Sequence, residues 1–147
     1  MRFRASVLGW PIVFLLLAGC CVKRSSEETR PVSLQIEGPK WLLVAVNGVP
    51  VISSADEKRA FLMLDTTGKV ITGYAGCNNF SGGYELDGAL VKFGLLASTR
   101  MFCTEPQMSM ETGFFKALEE TRGWKIKDRS LLLLDDNGVL ARFMIAP

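Results

Sequence analysis

Two cysteines and the polar residues around them hold most of the chemistry available to this 147-residue chain. Cys77 lies in Gly73-Tyr74-Ala75-Gly76-Cys77-Asn78-Asn79-Phe80-Ser81-Gly82-Gly83-Tyr84. Cys103 closes Ala97-Ser98-Thr99-Arg100-Met101-Phe102-Cys103. In an oxidising compartment such a pair can form a disulfide that persists. Closing a loop of about 25 residues would contribute about 3 kcal/mol in the chain-entropy picture. The disulfide is the favoured reading. Two buried free thiols, packed as small hydrophobes, are the alternative. A redox centre is disfavoured, because the spacing is not Cys-x-x-Cys.

Other chemistries find little support. The sequence has no histidine, which removes Ser–His and Cys–His activation and the commonest metal ligand. Two domain thiols without imidazole make a poor zinc site, so neither metal nor cofactor is expected. The glycine-rich bend lacks the lysine and the following helix of a phosphate loop. Arg100 could grip a carboxylate or phosphate. The favoured reading packs its stem over the sheet and pairs it with Glu111 or Glu105. Asp135-Asp136 falls in a turn, and Glu119-Glu120 near a helix end. Ser54 and Lys58 are one residue too far apart for a Ser-x-x-Lys nucleophile.

The elements that position these residues are mostly strands. Trp41 to Val46 is a continuous apolar run that reads as a strand buried on both faces, ended by Asn47-Gly48. Phe61–Leu64 and Lys69–Ala75 flank Asp65-Thr66-Thr67-Gly68 in hairpin grammar. Tyr84–Leu86 and Ala89–Val91 flank Asp87-Gly88, a two-residue primed-turn signal. Leu131–Leu134 and Val139–Ile145 flank Asp135-Asp136-Asn137-Gly138. A short edge strand is expected at Val32–Ile36. Thr104 with Gln107 has capping-box spacing, and Pro106 suits a first turn. Met108, Met110, Phe114, Phe115 and Leu118 share a face at helical spacing, so a helix is expected from about Glu105 to Thr121. The whole predicts an α+β fold. A strongly curved antiparallel sheet, or partial barrel, of about eight short strands is closed on one side by one helix.

The chain opens with an address. Arg2 and Arg4 precede an apolar run, Val7 to Leu17, broken at Trp10-Pro11. Leu17-Ala18-Gly19-Cys20 follows and resembles a bacterial lipobox. The expectation is a signal peptide over 1–19 and acylation of Cys20. Residues 20–38 then carry the lipidated cysteine and a polar tether. Cys21 is read as a bystander, with intermolecular pairing as the alternative. Since residue 21 is not aspartate, the usual sorting rule places the anchor in the outer membrane, facing the periplasm. A bacterial lipobox makes the Asn79-Phe80-Ser81 glycosylation sequon accidental. Loss of Arg2 and Arg4 with the leader leaves a near-neutral chain, without the basic footprint of a nucleic-acid binder. The expected partners are the bilayer, through Cys20, and an envelope protein.

Residues 39–147 resemble the META domain family, which holds the HslJ-like heat-shock lipoproteins. The resemblance rests on Trp41 with Val46-Asn47-Gly48, on Gly73 with Gly76-Cys77-Asn78, and on Phe80 with Gly82 and Tyr84. Phe93-Gly94, then Thr99-Arg100-Met101 with Cys103, the helix and Leu131–Asp135 complete it. It implies a curved antiparallel sheet with one helix and an envelope or stress-linked role. Family members are tied to heat shock, novobiocin resistance and, in parasites, virulence or motility. It supplies no catalytic mechanism. Gly76, Asn78, Phe80, Gly82, Tyr84, Thr99, Arg100 and Met101 therefore carry over as structural positions. The resulting expectation is a non-enzymatic stress-associated or protein-interaction module. The alternative is a small-ligand or peptide binder using the concave sheet face.

Overall fold

In the computed structural model, described over residues 34–52 and 58–147, the alternating apolar runs become nine antiparallel strands and one helix. The strands are β1 Lys40–Val46, β2 Val49–Pro50, β3 Phe61–Asp65, β4 Val70–Tyr74 and β5 Asn79–Asp87. Then follow β6 Leu90–Ser98, the helix α1 Gln107–Glu120, β7 Gly123–Lys127, β8 Ser130–Leu134 and β9 Val139–Ile145. Neighbours in sequence pair from β3 through β9, and β1 pairs with both β3 and β9. The sheet therefore closes on itself as an eight-stranded ring. The two-residue β2 is an appendage on the second half of β1. The seam between β6 and β7 holds one ladder pair, Leu90 with Gly123. The leader, Cys20, Cys21, the tether up to Ser33, and Ser54 lie outside the described residues.

Period-two alternation turns one face of each strand inward. Trp41, Leu43, Leu62, Leu64, Ile71, Leu131, Leu133 and Phe143 are buried there. From the helix, Phe114, Ala117 and Leu118 are also fully buried. The Phe114 ring stands 5.8 Å from Phe80 and 5.8 Å from Phe143. The concave face of the sheet is packed by its own core and by α1.

Local differences have local causes. β1 is not buried on both faces: Leu42, Val44 and Ala45 are half-exposed between buried Trp41, Leu43 and Val46. Its outward side meets solvent in a one-layer ring. No strand forms over 34–36. Instead Ile36 drops into the core, and its carbonyl accepts the Trp41 indole N–H at 2.8 Å. The Gly38 amide donates to Leu64 at 2.9 Å, so 36–38 belong to the folded unit rather than to the tether. The β5–β6 loop is Gly88-Ala89, since Asp87 pairs with Leu90 and extends the ladder.

The helix starts two residues late. Pro106 is its N-cap and the Thr104 capping box does not form. The Gln107 amide bonds the Thr104 backbone carbonyl at 3.1 Å. The Glu105 carboxylate accepts the first-turn Ser109 amide at 3.3 Å and so serves an otherwise orphaned donor. Gly113 sits mid-helix, where glycine costs about 1 kcal/mol relative to alanine. A Cβ there would meet only Val46 Cγ1, at an ordinary 3.6 Å. Gly113→Ala is therefore expected to stabilise the fold by about 0.5–1 kcal/mol in urea unfolding. A loss of stability would show that the β1–α1 contact tolerates no added methyl.

Candidate interaction site

The bend between β4 and β5 is built around one side chain. Ala75 donates its amide to the Asn78 carbonyl at 2.8 Å and closes the turn. Gly76 has φ +102, a conformation that favours glycine, and a Cβ there would also displace the Met110 methyl, 2.0 Å away. Asn78 is buried. Its Oδ1 accepts from the Thr99 hydroxyl at 2.7 Å and from the Met101 amide at 2.7 Å. Its Nδ2 donates to the Met101 carbonyl at 3.2 Å and to Glu111 Oε1 at 2.8 Å. All four hydrogen-bonding positions of the amide are used. The Met101 N–H can only donate, which fixes which way the amide faces. The Asn78 backbone amide donates to Glu111 Oε2 at 2.7 Å.

Two further links fasten the same loop. Cys77 and Cys103 are joined by a disulfide, with Cα atoms 6.0 Å apart. Asn79 and Thr99 exchange bonds, Thr99 N to Asn79 O at 3.0 Å and Asn79 N to Thr99 Oγ1 at 3.2 Å. The backbone from Thr99 to Cys103 is thus held at both ends and in the middle. Yet its side chains face water: Met101 is 60% and Phe102 91% exposed. Here a thioether and an aromatic ring are displayed on a fixed support.

The signature positions divide into four groups. Gly76, Asn78, Thr99, Met101 and the disulfide converge on this bend. Phe80 lies beneath it, edge-on to Phe114 and Phe115. Gly82 and Tyr84 sit farther along β5. A Cβ on Gly82 would come within 2.7 Å of the Leu95 carbonyl, so that position lets β5 and β6 approach. Arg100 is exposed and makes no ion pair among the described residues. Its expected pairing with Glu111 or Glu105 does not occur. Glu111 is taken by Asn78, and Glu105 by Ser109.

Glu111 is the residue that sequence reasoning missed in this role. It shares the buried face of α1 with Phe114, Ala117 and Leu118. A carboxylate three residues before one core position and seven before another was the available signal. Buried polar groups need partners, and Asn78 supplies two donors. Both carboxylate oxygens are so occupied. Among the described residues, no cluster of three metal-ligating side chains occurs.

Tyr84 performs a second fastening. Its hydroxyl bonds the Glu37 carboxylate, with the Asp65 carbonyl 3.0 Å away as a second acceptor. Lys69 Nζ reaches Glu37 at 2.6 Å. The hydrogen bonds from Lys69 and Tyr84 hold the Glu37 carboxyl below its ordinary range. Burial, then the bond to Glu37, pushes the Tyr84 phenol well up. The Glu37 contribution is thus complete above the ordinary carboxylate pKa and lost as pH falls through the lowered folded value. The Tyr84 contribution is complete below about 10 and lost as pH rises toward the raised folded value. Glu37→Gln is expected to narrow the difference between urea midpoints at pH 6 and pH 3. An unchanged difference would place the acid sensitivity elsewhere.

A cleft of about 840 Å³ opens beside the bend, between the β1–β2 turn and the start of α1. Its lining includes the apolar Val46, Val51, Ala60 and Met110, together with Lys58 and Tyr74. Lys58 Nζ lies 4.2 Å above the Tyr74 ring and donates to Asn79 Oδ1 at 3.3 Å.

Comparison with known proteins gives this architecture relatives. A family model for the META domain matches residues 33–146. Heat shock protein HslJ of Escherichia coli (strain K12) is 30% identical over 95 residues. That match covers 65% of this chain and 63% of the relative, so it spans less than two thirds of HslJ. An NMR structure of a protein from Burkholderia xenovorans superposes with TM-score 0.62 at 29% identity, covering 76% of this chain and 83% of that one. A second NMR structure gives TM-score 0.59 at 25% identity, over 74% and 91% of the two chains.

Proposed function

Because the chain belongs to the META domain family, we propose that it is a lipid-anchored, non-enzymatic interaction module of the bacterial envelope, linked to heat stress like its HslJ relative. The anchor is Cys20, acylated after removal of residues 1–19, and it holds the domain at the periplasmic face of the outer membrane. The lipobox grammar of Leu17-Ala18-Gly19-Cys20 supports this placement. A disulfide suits an oxidising compartment of that kind.

The observation that carries the interaction role is the Thr99–Cys103 loop. Its backbone is fastened by Asn78 and by the disulfide, while Phe102 projects into water. An aromatic side chain on a preorganised support loses little freedom on docking, and such anchors dominate protein interfaces. Arg100 beside it adds a planar donor group with no ion pair among the described residues.

The test is photocrosslinking in heat-stressed cells, with a photoreactive residue at position 102 or at the exposed control position Glu85. One discrete adduct of fixed stoichiometry from position 102, and none from 85, is expected. Equal yields from both positions, or no adduct from either, would overturn the interaction role.

A further inference from the structure

We propose that the cleft beside the start of α1 binds a single-chain anionic amphiphile, its acyl chain along the apolar wall and its carboxylate or phosphate on Lys58. This goes beyond the interaction role: Phe102 is not among the lining residues of the cleft, although the neighbouring Cys103 and Thr104 are, and labelling of the cleft is read independently of crosslinks from position 102.

Size comes first. At about 840 Å³ the cleft lies within the roughly 300–1,000 Å³ range of small-molecule sites. Composition comes second. Val46, Val51, Ala60 and Met110 contribute apolar lining, and Val49 and Ile52 line the same cleft as exposed apolar side chains. Exposed apolar side chains contiguous with a cleft are surface that an apolar ligand can cover. Charge comes third. Among the described lining residues the only cation is Lys58, and no carboxylate is present. An anionic head is therefore attracted to Lys58, and meets no carboxylate among the described lining residues. Lys58 is also positioned, by the Tyr74 ring below it and by Asn79 Oδ1. The remaining lining is neutral and polar, including Thr104 and Ser109, which can donate to head-group oxygens.

The shape of the ligand follows from the same layout. The described lining combines apolar side chains with one cation, Lys58, so the ligand it suits has one apolar chain and one anionic end. A cationic or neutral amphiphile of equal length meets the same wall without the lysine contact. Each added methylene buried along the wall should tighten binding about fourfold, until the wall is covered.

The test uses the full chain held in phosphatidylcholine nanodiscs. The probes are diazirine-bearing decanoate and decyl phosphate, with adducts mapped by peptide mass spectrometry. Saturable labelling of Val49–Ile52 or Met110 is expected, competed by unlabelled alkanoates with potency rising about fourfold per methylene. Lys58→Glu should weaken competition at least tenfold. Gly113→Leu, which projects a side chain into the cleft, should abolish labelling while the protein melts as cooperatively as before. Stronger competition by decyl phosphate would identify a lysophospholipid-type head, and by decanoate a fatty acid. Equal competition by decyltrimethylammonium would overturn the proposal. So would labelling spread over the surface, or labelling indifferent to both substitutions.

Discussion

Replacing Asn78 with alanine is expected to lower stability by about 3–4 kcal/mol, the summed cost of breaking charge-assisted bonds and stranding buried groups. The truncation removes both bonds to Met101, the bond from Thr99 and one of the two donors to Glu111. The Glu111 carboxylate would stay buried with only the Asn78 backbone amide. Asn78→Asp separates this account from one of mere packing, since it keeps the shape. It replaces the donating Nδ2 with an oxygen facing Glu111. At pH 7 two carboxylates would then oppose each other, which raises the pKa of one of them. As pH falls one takes up a proton and becomes a donor, so the deficit of Asn78→Asp relative to the native chain should shrink. Urea unfolding at pH 7 and pH 4.5 measures both effects. A loss below 1 kcal/mol for Asn78→Ala, or a pH-independent deficit for Asn78→Asp, would contradict the central place given to this residue.

The second large effect belongs to the disulfide. Cys77 and Cys103 are 26 residues apart, and opening a loop of that length should cost about 3 kcal/mol in the chain-entropy account. The double variant Cys77→Ala, Cys103→Ala is the appropriate test, because serine would bury a hydroxyl at the buried Cys77 position. Its melting temperature should fall and become insensitive to reductant, whereas the native chain should be sensitive. Amide exchange gives a local readout. The Met101 amide should exchange faster in the double variant, as the loop keeps only its Asn78 and Thr99 bonds. Equal melting temperatures with and without reductant in the native chain would contradict the stabilising role.

Much of this was legible in the residues. The largely apolar segments Leu131–Leu134 and Val139–Ile145, meeting across the turn signal Asp135-Asp136-Asn137-Gly138, identified the last hairpin, and Asp135 caps that turn as its residue type suggests. The spacing of Phe114 and Leu118 located the helix. What failed to show was long-range. Nothing local links Glu111 to Asn78, 33 residues earlier, and a glutamate on a helix ordinarily faces water. Thr104 and Gln107 satisfied a capping pattern, yet Pro106 became the N-cap and Glu105 served Ser109. Glu37 looked like part of a tether because its partners, Lys69 and Tyr84, lie 32 and 47 residues further along the chain.

The account rests on an oxidised domain held by a lipid on the far side of the cytoplasmic membrane. Intact mass spectrometry of the chain extracted from its own membranes, without reductant, tests this most directly. The predicted mass is that of a chain beginning at Cys20, bearing acyl groups, and lacking the two hydrogens lost when Cys77 and Cys103 join. A chain beginning at Met1, unacylated and with its thiols free, would contradict the account.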